Sequence, residues 1–218
     1  MSEARSPSGR ITVLLVDDHA VVREGYRRLL ERDESLHVAG EAATAADAMR
    51  LDAQLRPAVV VLDIALPGIS GIEILRRILA RRPEARVLMF SMYHDGIYAT
   101  RAINAGARGY LSKASAPDLL VQAVRSVADG HRYFSPDVQQ AMSKQSSEVN
   151  QLAGALSTRE LEVLRMLAQG YGVDQIGERL GLSSKTAANH QSSIKQKLGA
   201  NSALQLLLIA QQFGLISG

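Results

Sequence analysis

Three carboxylates, a hydroxyl and an ammonium stand out in the first half of the chain, because each follows or ends a short apolar run. Ile11-Thr12-Val13-Leu14-Leu15-Val16 leads to Asp17 and Asp18, and Val59-Val60-Val61-Leu62 leads to Asp63. Val87-Leu88-Met89-Phe90 leads to Ser91, and Gly109-Tyr110-Leu111-Ser112 leads to Lys113. Clustered carboxylates repel one another, and a hard divalent cation such as Mg²⁺ relieves that repulsion through oxygen ligands. An Asp beside the cation can attack a phosphoryl donor. The transferred oxygens need neutralising charge, which the cation and Lys113 supply, while Ser91 can hydrogen-bond a third oxygen.

These groups meet only if the four runs are parallel strands of one sheet, whose carboxyl ends share an edge. The intervening segments carry helical stripes: Val21, Val22, Tyr26, Leu29, Leu30; then Ala45–Leu55; then Ile72, Ile74, Leu75, Ile78, Leu79. Ile97–Ile103 and Leu119–Val127 complete the set, and His37–Glu41 reads as a further short strand. Five βα units in about 120 residues predict a doubly wound parallel α/β sheet. Val59–Leu62, apolar at every position, is the central strand covered on both faces.

The chain has 218 residues, no Cys and a net charge of +3. Disulfides, thiolate metal sites and cysteine nucleophiles are excluded. The charge is compatible with nucleic-acid binding without demanding it. No apolar stretch is long enough for a bilayer span. Residues 1–9 lack an apolar signal region and read as a flexible tail, so a cytoplasmic protein with no membrane association is expected. Residues 10–130 hold the α/β domain. Residues 131–155, rich in Ser and Gln, read as a linker in which Pro136 starts a short helix through Met142.

From residue 156 to 218 the pattern is purely helical, and four helices are expected. Thr158–Leu161 opens the first, Val173–Leu180 forms the second, Ser183 or Ser184 caps a third running to Leu198, and Ser202–Phe213 is the last. Two helices joined by a short turn, the second opened by Ser and dotted with Lys, read as a helix-turn-helix; a four-helix docking module is the alternative. On the third helix Ala187, Gln191 or His190, Ile194 and Leu198 follow the inward stripe, and Lys185, Ala188, Asn189 and Ser192 the outward one. Asn189 is the best candidate base reader, since Asn pairs bidentately with adenine. Lys185, Lys195 and Lys197 suit phosphates, and His190 suits either the core or a phosphate. Thr186, Ala188, Ser192 and Ser193 complete the candidate DNA-facing set. The last helix is apolar on too many sides: Leu206, Ala210 and Phe213 suit its own core, leaving Leu204, Leu207 and Leu208 for a self-pairing interface.

Residues 11–130 resemble the receiver domain of bacterial response regulators, through Val16-Asp17-Asp18-His19, Leu62-Asp63-Ile64-Ala65-Leu66-Pro67-Gly68, Ser91 and Gly109-Tyr110-Leu111-Ser112-Lys113. Residues 156–216 resemble the LuxR-type output domain, through Leu156-Ser157-Thr158-Arg159-Glu160-Leu161, Ile176-Gly177-Glu178-Arg179-Leu180, Ser183-Ser184-Lys185-Thr186 and Lys197-Leu198-Gly199. Together they resemble a NarL/FixJ-type transcriptional regulator. The resemblance implies a five-stranded flavodoxin-like sheet of order 2-1-3-4-5 and a four-helix helix-turn-helix domain. It implies Asp63 as phospho-acceptor, and Mg²⁺ held by Asp17, Asp18, Asp63 and the Ala65 carbonyl. It further implies Ser91 and Tyr110 as a switch pair beside Lys113, and DNA, a sensor histidine kinase, a second copy of the chain and RNA polymerase as partners. Two departures from the family pattern are Ala65, a small residue beside Asp63, and Ala114, where many members carry Pro. Two rival readings are an Asp-nucleophile phosphotransferase and an orphan regulator controlled by protein contacts. Against the first, Ala65 offers no second acid.

Overall fold

The computed structural model describes residues 9–115, 117–145 and 147–216, so the expected tail at 1–8 lies outside the described residues. The chain divides into two compact units, with the main break between Gln139 and Gln140 and residues 95–98 grouped with the second.

In the first unit, β1 (Ile11–Val16), β2 (Leu36–Ala42), β3 (Val59–Leu62), β4 (Val87–Ser91) and β5 (Gly109–Ser112) alternate with helices. These are α1 (Ala20–Glu31), α2 (Ala45–Leu55), α3 (Gly71–Arg81), α4 (Gly96–Asn104, of which residues 99–104 fall in this unit) and α5 (Pro117–Ala128). All pairings are parallel, and the strand order is β2-β1-β3-β4-β5 with one more strand at the edge. The order reverses between β1 and β3, which opens a crevice at the carboxyl ends there. Every residue of β3, β4 and β5 is buried, as the unbroken apolar runs require of strands covered on both faces.

The added strand, β6 (Tyr133–Phe134), pairs with β5 inside the segment expected to be a linker. Two residues are too few to show a period of two, so hydropathy gave no sign of it. The partner strand makes room instead: a Cβ on Gly109 would sit 2.6 Å from the Tyr133 carbonyl oxygen. The rest of that segment also carries structure, α6 (Pro136–Ser143) and α7 (Ser147–Gly154). The short helix at Pro136 was expected; α7 was not.

The second unit contains α8 (Thr158–Ala168), α9 (Val173–Leu180), α10 (Ser184–Leu198) and α11 (Ala203–Gln212), within a residue or two of the expected bounds. Both α10 and α11 pack against α8, and α9 packs against α10. The turn between α9 and α10 is built from local signals. Gly181 closes α9 in the left-handed region, the Leu182 N–H donates to the Gly177 carbonyl at 2.7 Å, and Ser183 accepts from the Thr186 N–H at 3.1 Å to open α10. No described helix is long and apolar enough to cross a membrane.

Candidate functional site

Sheet hydrogen bonding carries the polar residues to one edge. The Asp63 N–H donates to the Val16 carbonyl at 3.0 Å, the Asp17 N–H to Ala42 at 3.0 Å, and the Lys113 N–H to Ser91 at 2.8 Å. Each site residue thus extends the ladder of its strand by one step, and the parallel register sets their mutual positions.

The side chains converge as expected. Lys113 Nζ lies 2.6 Å from Asp17 Oδ2 and 2.5 Å from Asp63 Oδ2, although the three residues come from three different strand ends. Asp17, Asp63 and Lys113 are all buried from solvent. Beneath them the Lys113 ammonium stands 5.9 Å from the Phe90 ring centroid, and Tyr26 meets Phe90 edge-on at 4.6 Å. Burial over this aromatic floor pushes the Asp63 pKa up, and the Lys113 ammonium pulls it back only in part. Burial acts against the Lys113 charge as well, but the two carboxylates outweigh it and its pKa is raised.

Asp18 lies beside Asp17, and its buried Oδ1 has no hydrogen bond. His19 Nδ1 stands 2.9 Å from that same oxygen, an attraction only when the imidazole is protonated. Asp17, Asp18 and His19 offer ligand atoms within 4.8 Å of one another. The Asp18 oxygen that lacks a hydrogen bond, beside the Asp17 carboxylate, offers the oxygen donors that a hard divalent cation takes, so these residues fit Mg²⁺. The Ala65 N–H donates to Asp63 Oδ1 at 3.2 Å, which orients the carboxylate. Ser91 is fully buried, and its Oγ accepts from the Tyr93 N–H at 3.3 Å. Tyr110 is fully buried too, and its hydroxyl donates to the Tyr93 carbonyl at 2.5 Å. Ser91 and Tyr110 therefore both engage the same residue after β4. No cis peptide bond occurs among the described residues, Ala114 included.

Three supporting residues escaped the sequence reading. Arg23 on α1 donates to the Asp17 carbonyl at 2.6 Å and to Glu41 at 3.2 Å, which clamps the loop bearing both aspartates. Its signal was present as an arginine in the first turn of the helix after the Asp pair, but only the fold shows it turning back. Tyr93 gave no sequence signal, since it acts through its backbone. Gly71 opens α3 so close to the loop that a Cβ would fall 1.9 Å from the Asp63 carbonyl oxygen.

In the second unit, Lys185, Asn189 and Ser192 are exposed on α10 as expected, joined by Gln196 on the same face; Ala188 and Lys195 are half-buried. Ser192 Oγ donates back to the Ala188 carbonyl at 3.1 Å, and Thr186 Oγ1 is 2.8 Å from Ser183 Oγ in the cap. His190 is half-buried, and burial lowers its pKa against the pull of Glu160, which disfavours the charged form. Ser193 and Lys197, also expected to face DNA, both engage Glu160 of α8. Ser193 Oγ donates to Glu160 Oε1 at 2.6 Å, and Lys197 Nζ reaches Glu160 Oε1 and Oε2 at 2.8 and 2.7 Å. On α11, Leu206 and Ala210 are buried, as is Phe213 at its C-terminal end, whereas Leu204 is 63% and Leu208 54% exposed, with Leu207 between.

Comparison with known proteins agrees with this geometry. Residues 13–125 match the response regulator receiver domain, and residues 154–210 match the bacterial regulatory proteins of the luxR family. The chain is 36% identical over 209 residues to the response regulator GacA of Pseudomonas aeruginosa, covering 94% of this chain and 98% of that protein. It is 36% identical over 208 residues to the response regulator UvrY of Escherichia coli K12, covering 94% and 95%. Among solved structures, RcsB from Salmonella enterica serovar Typhimurium, bound to the promoter rprA in the presence of the phosphomimetic BeF3-, aligns with a TM-score of 0.64 at 26% identity, covering 93% of this chain and 98% of that one. A LuxR-family two-component response regulator from Aurantimonas sp. aligns with a TM-score of 0.61 at 44% identity, over 62% of this chain and 96% of that one. A buried aspartate pocket on a receiver sheet, followed by a helix-turn-helix unit that matches the luxR model, places the chain in the LuxR (NarL/FixJ) family of two-component response regulators.

Proposed function

We propose that Asp63 accepts a phosphoryl group from a phosphohistidine of a sensor histidine kinase, and that this modification controls self-association and promoter binding by the second unit in the cytoplasm. The observation that carries the reading is Lys113 held at 2.6 and 2.5 Å between Asp17 and Asp63. An Asp63 oxygen attacks phosphorus, the phosphorus–nitrogen bond of the donor breaks, and an acyl phosphate forms on Asp63 while the imidazole leaves. Bound Mg²⁺, held by Asp17, Asp18, Asp63 and the Ala65 carbonyl, would neutralise the phosphoryl oxygens. Lys113 can leave its bridge between the carboxylates and pair with the phosphoryl group. Ser91 moves to donate its hydroxyl to a phosphoryl oxygen, a shift that draws its Oγ away from the Tyr93 N–H, and Tyr110 follows. Ala65 carries no acid for repeated proton donation, which supports a single regulatory transfer rather than an enzyme in turnover.

Exposed Lys185, Asn189 and Ser192 on α10 form the DNA-facing side, with Asn189 reading bases and Lys185 and Lys195 contacting phosphates. Leu204, Leu207 and Leu208 pair two copies, and two half-sites about one helical turn apart are expected. RNA polymerase is then the further partner at a promoter.

Incubation with acetyl phosphate and Mg²⁺ should add one phosphate by intact mass. Sedimentation should then show a shift to dimer that Leu208→Glu prevents without unfolding the chain. Asp63→Asn should abolish both changes; labelling that persists in Asp63→Asn overturns the assignment.

A further inference from the structure

α10 is held by little apolar surface. Of its fifteen residues only Ala187 and Ile194 are buried. Ala187 and Ile194, seven positions apart, form a narrow buried stripe with half-buried Ala188 and Leu198 beside it, packed against α8 and α9. A polar tie adds to this apolar anchor. Glu160, in the first turn of α8, is buried and accepts from both ends of the neighbourhood. Oε2 takes the Ser157 N–H at 2.6 Å, Oε1 takes the Ser193 hydroxyl at 2.6 Å, and Lys197 spans both oxygens. Ser193 and Lys197 are one turn apart on α10, so they grip one stripe of it. The exposed stripe Lys185, Asn189, Ser192 and Gln196 lies one residue, or about 100°, around the helix from them.

We propose that Glu160 is a positioning residue which, through Ser193 and Lys197, sets the rotation of α10 and thereby the sequence selectivity of DNA binding, while withholding the Lys197 ammonium from the phosphate backbone. The inference rests on the reading of α10 as the DNA-facing helix. Its chemistry is specific. The carboxylate has all of its acceptor sites on each oxygen directed at partners in its own unit, and Lys197 retains a side chain 39% exposed. Neutralising Glu160 therefore has two consequences at once. α10 loses its rotational stop, and a half-exposed cation becomes available to DNA. The first weakens selectivity; the second strengthens general affinity. A merely structural carboxylate would weaken both.

The test uses the full-length chain after acetyl phosphate and Mg²⁺ treatment. A duplex enriched from a random library by the wild-type protein is compared with its scrambled counterpart at several salt concentrations. Glu160→Gln keeps the shape and the capping interaction with Ser157. It should lower the preference for the enriched duplex by about tenfold and leave scrambled binding equal or tighter, with the salt slope steeper by about one unit. Lys197→Met should lower the preference in the same direction while leaving the slope on scrambled duplex unchanged. The proposal is overturned if Lys197→Met flattens that slope by about one unit, since Lys197 is then a phosphate contact. Equal losses on both duplexes for folded Glu160→Gln, or no change in either variant, also overturn it. Should Glu160→Gln fail to fold, Lys197→Met and Ser193→Ala decide by the same two readouts. A wild-type protein that enriches no duplex gives a different result, the failure of α10 as the DNA-facing helix.

Discussion

Each unit buries a carboxylate against a lysine, and the two sites are satisfied to opposite degrees. In the first, Lys113 must serve Asp17 and Asp63 together, Asp18 Oδ1 has no hydrogen bond, and the Asp63 pKa is raised because burial outweighs the ammonium. In the second, Glu160 receives a backbone N–H, a hydroxyl and an ammonium, and despite the opposing effect of burial its pKa is lowered to about 2. A buried carboxylate with donors on both oxygens is held in place, whereas carboxylates that share a single ammonium keep oxygens with acceptor capacity to spare. A carboxylate thus meets a lysine in both units, and the number of partners on the carboxylate is what differs.

The largest effect expected from this contrast comes from the backbone under the unsatisfied pocket. In Gly71→Ala the new Cβ meets the Asp63 carbonyl oxygen at 1.9 Å and the Asp63 carbonyl carbon at 2.8 Å, both backbone atoms that cannot swing aside. A loss of more than about 4 kcal/mol is expected, along with acetyl-phosphate labelling. Gly25→Ala, where a Cβ meets nothing within 4 Å, should change the melting temperature little. Equal behaviour of the two variants would remove the close packing of α3 on the Asp63 loop as a requirement of the site.

Mg²⁺ should stabilise the first unit and not the second. At about a hundredfold excess over its dissociation constant, a cation that binds only the folded state contributes about 2.7 kcal/mol. Thermal unfolding with Mg²⁺ and with a chelator measures it, and Asp18→Asn should remove most of the difference. An unfolding curve indifferent to millimolar Mg²⁺ would break the distinction between the two carboxylate sites.

The smallest effect concerns the satisfied site. The folded-state pKa of Glu160, about 2, lies below its ordinary value of 4.5. Its stabilisation is therefore complete above the ordinary value and is lost as the pH falls through about 2. Asp63 contributes with the opposite sign, since its pKa is raised. A carbon-detected NMR titration of the Glu160 carboxylate should give a midpoint near 2, and Lys197→Met should raise it by about one unit, or about 1.4 kcal/mol. A midpoint at the ordinary value would show that the joint is not formed in solution.

Much of the pocket was legible in the sequence, because parallel strands place their carboxyl ends on one edge and the apolar runs mark where each strand stops. Asp17, Asp18, Asp63, Ser91 and Lys113 needed only that rule. Helix bounds in the second unit were legible for a similar reason: Ser157, Ser183 and Ser202 cap helices through their own side chains, and Gly181 and Gly199 close them, all within a few residues. Leu206 and Leu208 were sorted correctly into core and surface, since helical period alone separates neighbouring faces.

Tertiary structure decided what depended on partners distant in sequence. Strand β6 exists because Gly109 lets Tyr133 approach, and two residues carry no period to announce it. Arg23 supports the Asp17 carbonyl by curling back on its own helix start, a geometry no spacing reveals. A helical wheel places Lys197 and Ser193 toward DNA, and it shows which face a residue occupies but not what is packed beside it. Glu160, more than thirty residues earlier, is what stands there. Sequence thus determined the elements and the chemistry at their ends, where the causes are local. Which charges also meet a carboxylate from another helix was decided only when the helices packed, because that contact depends on residues distant in sequence.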